Sequence, residues 1–403
     1  MTKKKVCLFT TFYEADSGYS LITVAETQIR MLLDHGYEPV VLVDERFKSD
    51  KALWQPTTID IRPVIPPIAS PVNSILVALH EHLADVDVCI THDIVLLNDY
   101  RAHDLAMREY AKLRDDLLWL HFLHSCPSGQ RDGTNLPGYL IYPNASDKPR
   151  VCQVYGLAGQ EYRVVPCRAA HAIDPLSVWN YDPLTRSLMS KFNLLDAEVS
   201  AVYPARLDKG KQPEKIIRLL AGVKRAGYAV KLLVIDWQST GAHFQRYIDE
   251  LIELAWTLGV GNDVAFTSRL DDRCSQGVPR YVVTELMDLS TLYIHPSRVE
   301  TYSLVVHEAL LRGKLVCLNH DFPAFRELFG EAALYFDFGS DRFERTYTPD
   351  IQSFFDSEAH RLIAELKQNR ALMAQSKARR EWNPDALWRD FQSLLYLDAS
   401  KSR

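Results

Sequence analysis

The sequence predicts an α/β protein with two doubly wound, Rossmann-like domains that face each other across a cleft. Short, continuous apolar segments alternate with helical patterns in both halves of the chain, which indicates parallel sheets covered by helices on both faces. This rhythm breaks once, around residues 174–198. At 403 residues the chain also exceeds the size of one ordinary hydrophobic core, so two domains are expected.

The first domain is predicted over residues 1–175. The helical segment "SLITVAETQIRMLLDHG" ends at Gly36, where glycine can adopt the left-handed conformation that closes a helix. Residues 126–151 are rich in Pro, Gly, Ser and Asn, and we predict a long, functional loop there. The strands of this domain are predicted in "KVCLFTTF", "YEPVVLVD", "VDVCITHD" and "DLLWLHFLHS".

The second domain is predicted over residues 199–382, after a linker at residues 176–198. Its first strand lies in "EVSAVYPA", and alternating helix and strand signals follow it. Residues 383–403 form an amphipathic pattern in which Asn383 can cap a helix and Pro384 suits the first helical position. We expect this helix to complete the first domain. The other strands of the second domain are predicted in "AVKLLVID", "DVAFTS", "TLYIHPS" and "KLVCLN".

Composition excludes several classes of protein. The net charge of −6 argues against a protein whose main role is to coat nucleic acid. The seven cysteines are scattered without CxxC spacing, which favours free thiols over a disulfide framework or a structural zinc site. No apolar stretch approaches the length of a membrane span. A cytoplasmic enzyme is therefore the expected class.

Two glutamates eight positions apart mark the segment "VETYSLVVHEALLRGK" at residues 299–314. If a helix begins near Ser303, Glu300 lies on the preceding loop and Glu308 in the second turn. The unpaired amides and the dipole of a helix's first turn favour an anion such as phosphate. Glu308 could then accept hydrogen bonds from ribose hydroxyls, and Glu300 from those of a sugar. The alternative is that both are ordinary solvated carboxylates.

A basic island stands out in this acidic sequence at residues 201–231. Arg206 and Lys211 directly follow the strand "SAVYPA" at its carboxyl end, where a cationic pair can neutralise a departing diphosphate. The alternative for this pair is an ordinary solvated loop. Four further cations follow a helical pattern and are expected on its solvated face: Lys215, Arg218, Lys224 and Arg225.

Histidines occur at the ends of two predicted strands of the first domain. His124 ends the strand in "DLLWLHFLHS" at its carboxyl edge and is a candidate site residue. His121 lies inside the same strand, and His92 lies in "THD". We interpret these two as packed core histidines, because lone histidines on apolar strands are usually structural.

The segment "HPSRVETYSLVVHEALLRGKLV" resembles the signature of retaining glycosyltransferases of family four, which have the GT-B fold. "PARLDKGK" resembles the family's arginine and lysine loop, and "FLHS" resembles its strand-end histidine. "HAIDP" is similar to the segment that leads into the linker, and "GEAALYFD" to a late strand of the donor domain. The family's signature pattern maps onto Pro296-Ser297, Glu300, Glu308-Ala309, Gly313 and Val316.

The resemblance implies four catalytic residues. Arg206 and Lys211 would hold the diphosphate of the donor, Glu300 would contact the donor sugar, and His124 would touch that sugar from the opposite domain. The resemblance also implies that no metal is used. This agrees with the sequence, in which the loop pair Asp271-Asp272 is a poor match to an Asp-x-Asp site beside a strand.

The donor-binding residues that the resemblance implies have more varied roles. Glu308 would bind the ribose, and the backbone amides after Tyr302 would bind the phosphate. Gly18 is the only glycine in "EADSGYSL", where many members carry a glycine-rich loop, and Arg269 lies in "FTSRLDD", where the base is expected. The full set is Gly18, Tyr302, Ser303, Leu304, Glu308 and Arg269.

The resemblance implies transfer, with retention, of a hexose-type sugar from a UDP- or GDP-sugar to a hydroxyl acceptor. The nucleotide sugar is a co-substrate, and no other cofactor is expected. The acceptor (a sugar, a lipid, a small molecule or a modified DNA base), peripheral membrane contact and the oligomeric state are left open by the sequence.

Two alternative functions are kept open. One is transfer of sugar to modified bases in DNA, which needs a basic, aromatic-rich channel. The other is a nucleotide-sugar-binding protein or an epimerase of the same fold that transfers no sugar. The residues that would form the channel near the long loop are Lys148, Arg150, Arg163, Tyr139 and Tyr142.

Overall fold

The chain divides into two compact units, each built around one sheet. The first unit comprises Met1–Asp174 and Pro384–Arg403, and the second comprises Pro175–Asn383. The predicted fold class, α/β with two doubly wound domains, is confirmed, because both sheets are parallel and have helices on both faces. The computed structural model describes residues 4–15, 20–125, 129–168, 181–207, 209–236, 242–297, 303–321, 323–339, 351–381 and 383–398.

The first unit contains a parallel sheet of seven strands. The strands are β1 (Lys5–Phe9), β2 (Glu38–Asp44), β3 (Asp60–Ile65), β4 (Val88–His92), β5 (Leu118–Phe122), β6 (Tyr139–Tyr142) and β7 (Val164–Pro166). Their order across the sheet is β3-β2-β1-β4-β5-β6-β7, and every pairing is parallel. Successive strands therefore run outward from β1 in one direction and from β4 in the other, so the winding reverses between β1 and β4.

Helices cover both faces of the first sheet. They are α1 (Ser20–Asp34), α2 (Val72–His82), α3 (Arg101–Ala111), α4 (Lys148–Val154) and a C-terminal helix (Pro384–Leu394). Residues of β1 alternate between the two faces, as a pleated strand requires. Val6 and Leu8 belong to the core beneath α1 and the C-terminal helix, whereas Cys7 and Phe9 belong to the core beneath α2 and α3.

The prediction of an uninterrupted loop over residues 126–151 is wrong. Strand β6 lies inside this range and is fully buried, and α4 begins at Lys148. The apolar run "YLIY" is only four residues long and is surrounded by Pro, Gly and Asn, so its pattern is too short to reveal a strand. Its pairing with β5 and β7, which lie elsewhere in the sequence, supplies the backbone hydrogen bonds that make it one.

The second unit contains a parallel sheet of six strands in the order β10-β9-β8-β11-β12-β13. The strands are β8 (Val199–Ala205), β9 (Val230–Asp236), β10 (Val264–Phe266), β11 (Leu292–His295), β12 (Leu315–Asn319) and β13 (Leu334–Phe336). The winding reverses here between β8 and β11, which are neighbours in the sheet. In open α/β sheets such a reversal leaves a crevice outside the carboxyl ends of the strands, where ligands bind.

Nine helices are found in the described part of the second unit. They are α5 (Pro183–Lys191), α6 (Pro213–Arg225), α7 (Ala242–Thr257), α8 (Thr267–Leu270), α9 (Arg280–Asp288), α10 (Leu304–Leu311), α11 (Pro323–Phe329), α12 (Ile351–Gln368) and α13 (Arg370–Glu381). Helices α6, α7, α10, α11 and α12 contribute to one core, and α5 and α9 pack on the opposite face of the sheet.

Two glycines with nearly equal positive φ angles provide a test of the packing beside β6. Gly138 has a φ of +79°, and a Cβ added there would lie 2.1 Å from the backbone oxygen of Trp119. Gly36 has a φ of +76°, with no atom within 4 Å of an added Cβ. We expect Gly36→Ala to lower the free energy of unfolding by about 1 kcal/mol, the cost of left-handed strain alone. Gly138→Ala should cost at least about 2 kcal/mol more.

Urea unfolding of the two variants measures this difference, with Gly36→Ala as the control for backbone strain. Equal losses in the two variants would contradict the close approach of Gly138 to β5.

Candidate functional site

The loop after β8 leaves the sheet of the second unit at the point where the winding reverses. Arg206 is the first residue beyond β8 and is exposed. Its guanidinium lies over the ring of Phe244 in α7, 5.8 Å from the ring centroid. A cation–π contact of this kind holds the side chain without consuming its charge. Arg206 therefore presents a positive charge at the carboxyl edge, as the sequence predicts.

The second cation of this loop is held through its backbone. The Tyr203 hydroxyl donates a hydrogen bond of 2.7 Å to the backbone oxygen of Lys211. Tyr203 is a fully buried residue of β8 and packs beside Tyr293 of β11, with ring centroids 6.5 Å apart. Because the phenol is fixed by the sheet, the backbone at Lys211 is fixed relative to the ends of both strands.

Three residues other than glycine have positive φ angles within the described part of the chain. They are Asp93 (φ 56°), Gln212 (φ 50°) and Ser303 (φ 57°). Such conformations cost free energy, and they concentrate at ligand-binding and catalytic segments. Each of the three adjoins a loop at the carboxyl edge of its sheet: Asp93 follows β4, Gln212 follows Lys211, and Ser303 immediately precedes α10.

Helix α10 begins where the spacing of the two glutamates predicts a helix. Ser303 is its N-cap, and Leu304, its first residue, is 60% exposed. Glu308 forms an ion pair with Arg280, the first residue of α9. The Glu308 side chain is 18% exposed and that of Arg280 is 72% exposed. Glu308 is thus partly buried and paired, which differs from a solvated surface carboxylate.

The remaining predicted site residues of the donor fall into two groups. Glu300, Tyr302 and Gly18 lie outside the described residues. Arg269 is described and lies in α8, where its guanidinium forms an ion pair of 2.8 Å with Asp249 of α7. Both side chains of this pair are exposed, so the contact is a surface ion pair.

Asp236 is a residue at the carboxyl edge that the sequence reasoning missed. It ends β9, pairs in register with Ala205 of β8, and is buried. Its Oδ1 accepts hydrogen bonds from the Thr267 hydroxyl and the Ser268 amide, both of 3.0 Å. These bonds begin α8, so the predicted strand "DVAFTS" ends early, at Phe266. The signal in the sequence was a carboxylate at the end of the apolar strand "LLVID".

Two buried atoms beside this contact are unsatisfied. Within the described residues, Oδ2 of Asp236 and Oγ of Ser268 are buried and have no hydrogen-bond partner. Such atoms are uncommon in folded proteins, and each needs a physical reason. Asp236 ends the strand next to β8, and Ser268 lies in the first turn of α8, so together they give this part of the carboxyl edge a polar corner.

The candidate histidine of the first unit lies two residues beyond the end of β5. Nε2 of His124 is 2.8 Å from Nδ1 of His92, the last residue of β4. The backbone amide of His124 donates a hydrogen bond of 2.8 Å to Oδ1 of Asp93. His92 is buried, as the core interpretation predicts, but it contacts the candidate site residue directly, which that interpretation did not foresee.

His121 is the packed core histidine that the sequence predicts. Its Nδ1 lies 2.8 Å from the hydroxyl of Thr91, and its Nε2 lies 2.7 Å from the backbone oxygen of Pro137. Burial lowers the pKa of His121 from 6.5 to about 3. The ring is therefore neutral at physiological pH and serves to join β5 to β4 and to the turn before β6.

Lys215 corrects the prediction that four cations of α6 lie on a solvated face. It is 4% exposed, and its Nζ lies 5.9 Å from the centroid of the Phe355 ring in α12. The helical pattern misleads here because α12, which comes much later in the sequence, packs over this side of α6. Lys224 and Arg225 are paired near the surface with Asp263 and Asp356.

Three of the five residues suggested for a basic, aromatic channel that binds DNA are buried, which contradicts that part of the prediction. Tyr139 and Tyr142 are buried strand residues, and Arg163 is 1% exposed. The Arg163 guanidinium donates hydrogen bonds to the backbone oxygens of Gly133, Leu136 and Gly138. It thus fixes the segment before β6 and is not available to a phosphate backbone.

Two other kinds of feature are absent from the described residues. Among the described His, Cys, Asp and Glu residues, no group of three could hold a metal ion. No helix in the described ranges has the length and apolar character needed to cross a membrane.

The sequence of the second unit matches a known family. Residues 186–343 match the family model described as glycosyl transferases group 1. The second unit carries a group 1 glycosyltransferase domain. The match spans β8 to β13 and therefore contains Arg206, Lys211, Arg269 and Glu308. The prediction of a glycosyltransferase is confirmed at the level of the family.

Solved structures resemble the chain over nearly its whole length at low identity. A glycosyltransferase from Rickettsia africae ESF-5 is 13% identical over 98% of each chain, with a TM-score of 0.35. Sucrose-phosphate synthase from Thermosynechococcus elongatus is 16% identical over 97% of this chain and 98% of its own, with a TM-score of 0.35.

The catalytic domain of starch synthase IV from Arabidopsis thaliana, bound to ADP and acarbose, is 12% identical over all of both chains, with a TM-score of 0.36. Because these TM-scores are low, the assignment rests on the family match. A search of curated proteins gave no match.

The buried ring of His121 predicts a pH dependence of stability. In the unfolded chain a histidine binds a proton below pH 6.5, whereas folded His121 stays neutral down to about pH 3. The unfolded state therefore binds more protons in this window, and the free energy of unfolding falls as pH falls, by up to about 1.4 kcal/mol per pH unit.

Urea unfolding between pH 4 and pH 7 tests this in His121→Asn, with the exposed His80→Asn of α2 as control. The slope of the free energy of unfolding against pH reports how many more protons the unfolded state binds. This number should fall by about one in His121→Asn and stay unchanged in His80→Asn. The same slope in His121→Asn and the wild-type protein would contradict a neutral, buried His121.

Proposed function

We propose that this glycosyltransferase moves a hexose-type sugar from a UDP- or GDP-sugar to a hydroxyl acceptor, with retention of configuration and without a metal ion. The observation that carries the proposal is the position of the loop with Arg206 and Lys211 and of the start of α10. They follow β8 and β11, the two neighbouring strands at which the winding of the second sheet reverses.

Binding of the donor diphosphate is the first step of the proposal. Arg206 and Lys211 supply two positive charges, and the first turn of α10 supplies backbone amides and the positive end of a helix dipole. The first turn of α10 carries no acidic residue that would repel an anion. A diphosphate is the ligand group that can engage both cations and the amides together.

Glu308 is proposed to bind the ribose. Its Oε1 pairs with Arg280, which orients the carboxylate. A carboxylate has two acceptor oxygens, so a ribose hydroxyl can donate to Oε2 while the ion pair persists. Arg280 keeps this negative charge compensated close to the proposed diphosphate, where an unpaired carboxylate would weaken anion binding.

Transfer itself is proposed to rely on position and charge. The cations that bind the diphosphate also stabilise it as it leaves the anomeric carbon, and the leaving phosphate takes the proton of the attacking hydroxyl on the same face of the sugar. Glu300 and His124 are proposed to hold the sugar. Because the leaving group accepts the proton, no pair of catalytic carboxylates at glycosidase spacing is needed.

Donor binding and turnover test the proposal together. UDP or GDP should raise the melting temperature, because a ligand that binds only the folded state stabilises it. A panel of nucleotide sugars, assayed in excess EDTA, should give nucleoside diphosphate and a glycosylated acceptor whose anomeric configuration is read by NMR. A flat thermal response to every nucleoside diphosphate would overturn the proposal.

Two substitutions in the proposed site have matched controls in the same domain. Lys211→Ala and Glu308→Gln should each weaken donor binding or lower kcat/KM at least about tenfold, equivalent to about 1.4 kcal/mol. Lys224→Ala and Glu358→Gln, which remove surface ion pairs of α6 and α12, should leave both quantities near the wild-type values.

The Tyr203 hydroxyl provides a test of the Lys211 loop that leaves every proposed ligand contact in place. Tyr203→Phe removes the bond to the Lys211 backbone, worth about 1 kcal/mol, and should raise the KM for the donor about fivefold. Tyr247→Phe is the control, because its hydroxyl bonds to Glu214 instead. A donor KM that shifts equally in both variants would show that loss of stability, not of loop position, is the cause.

A further inference from the structure

The ion pair between Arg280 and Glu308 joins the first turn of α9 to α10. Helix α9 leads back to the start of β11, and α10 leads back to the start of β12, so both helices begin at the carboxyl edge of the second sheet. Val282, Leu286 and Met287 are buried and pack α9 against the rest of the unit. The backbone of Arg280 is therefore fixed at the edge where the donor is proposed to bind.

The position of Arg280 is unfavourable for the helix that carries it. The dipole of a helix places positive charge at its first turn, where a cation is repelled. Arg280 is the first residue of α9, and its side chain is mostly exposed, so burial does not hold it there. The position costs some helix stability, and the partly buried carboxylate of Glu308 offsets that cost.

The ion pair uses only part of the hydrogen-bonding capacity of the two side chains. It joins Nη2 of Arg280 to Oε1 of Glu308. A guanidinium has five N–H donors, and a carboxylate has two acceptor oxygens. Within the described ranges, Oε2 of Glu308 and the Nε and Nη1 groups of Arg280 make no hydrogen bond to another residue. The pair therefore presents one acceptor oxygen and several donors side by side.

The two neighbouring hydroxyls of a ribose match this arrangement. A hydroxyl both donates and accepts hydrogen bonds, whereas a carboxylate only accepts and a guanidinium only donates. One ribose hydroxyl can donate to Oε2 of Glu308, and the oxygen of the other can accept a hydrogen bond from Arg280. Hydrogen bonds to charged groups are stronger than those between neutral groups, so each contact can discriminate against a ribose that lacks the hydroxyl.

We propose that Arg280 is a second ribose-binding residue and that it contacts the ribose hydroxyl that Glu308 does not. The pair would then select donors built on ribose over donors built on 2′-deoxyribose, because the latter lack one of the two hydroxyls. This inference rests on the proposed function, since it needs a nucleoside diphosphate at this edge of the sheet.

Titration calorimetry on the full chain tests the inference with UDP and GDP and with the 2′-deoxy and 3′-deoxy analogues of the one that binds. In the wild-type protein, loss of either hydroxyl should weaken binding about tenfold. Glu308→Gln keeps an oxygen for Arg280 and replaces the second acceptor with an amide N–H, so loss of one of the hydroxyls should then change binding less than about twofold. In Arg280→Met the same should hold for the other hydroxyl.

Two further variants separate the contact from a general effect of charge. Arg280→Lys keeps a positive charge and a donor, and it should restore part of the discrimination that Arg280→Met loses. Arg225→Met removes a guanidinium from an ion pair between α6 and α12, and it should discriminate between the three ligands as the wild-type protein does.

The outcomes distinguish this inference from the proposed function. If Arg280→Met and Glu308→Gln lose discrimination at the same hydroxyl, Arg280 only orients Glu308 and the inference is overturned. An equal loss of affinity for all three ligands in Arg280→Met would show that Arg280 supplies charge alone, and it would also overturn the inference. In both cases the proposed function stands, whereas absence of binding of either nucleotide to the wild-type protein overturns both.

Discussion

Parallel strand polarity is the constraint on which the rest of this structure depends. Every strand of a parallel sheet ends at the same edge, and the two strands where the winding reverses send their following segments apart, which leaves a crevice between them. In the second unit these strands are β8 and β11, and in the first they are β1 and β4. Arg206 and Lys211 follow β8, and Ser303 follows β11. In the first unit, His92 ends β4 and Asp93 follows it directly. Topology alone thus gathers residues that are remote in sequence.

Bringing residues to one edge does not orient them, and orienting them costs stability. Asp93, Gln212 and Ser303 adopt left-handed backbone angles although they are not glycines. The Asp93 amide donates to the backbone oxygen of Phe122, and the backbone oxygens of Gln212 and Ser303 each accept a hydrogen bond from an amide three residues later. Tyr203 is inside the sheet, yet its hydroxyl bonds the backbone of Lys211 outside it. Fixed supports of this kind suit a reaction driven by position and charge, because they reduce the reorganisation that a flexible loop would require at the transition state.

The sequence predicts the fold well because alternating buried strands and helices leave a strong local pattern, and strand ends such as those at Arg206 and His124 can be read from it. What it misses depends on distant partners. Strand β6 forms because β5 and β7 pair with it. Lys215 is buried because α12 covers it, and Arg163 is buried because its guanidinium donates hydrogen bonds to backbone oxygens before β6. The sequence does not reveal the role of Asp236, because its partners, Thr267 and Ser268, lie beyond the next helix. In each case the local pattern is ambiguous, and tertiary packing decides.

The charge at the carboxyl edge of the second sheet bears on which part of the proposed donor, the diphosphate or the sugar, binds there. The chain has a net charge of −6, yet two described side chains of the loop after β8, Arg206 and Lys211, are cationic. Two of the described carboxylates near that edge have partners: Glu308 pairs with Arg280, and Oδ1 of Asp236 accepts hydrogen bonds from Thr267 and Ser268. In the proposed function the diphosphate of the donor is the anionic group that lies against Arg206 and Lys211, whereas the sugar is neutral. Under that proposal most of the binding energy comes from the nucleotide, and the contacts to the sugar can act on the transition state in preference to the ground state.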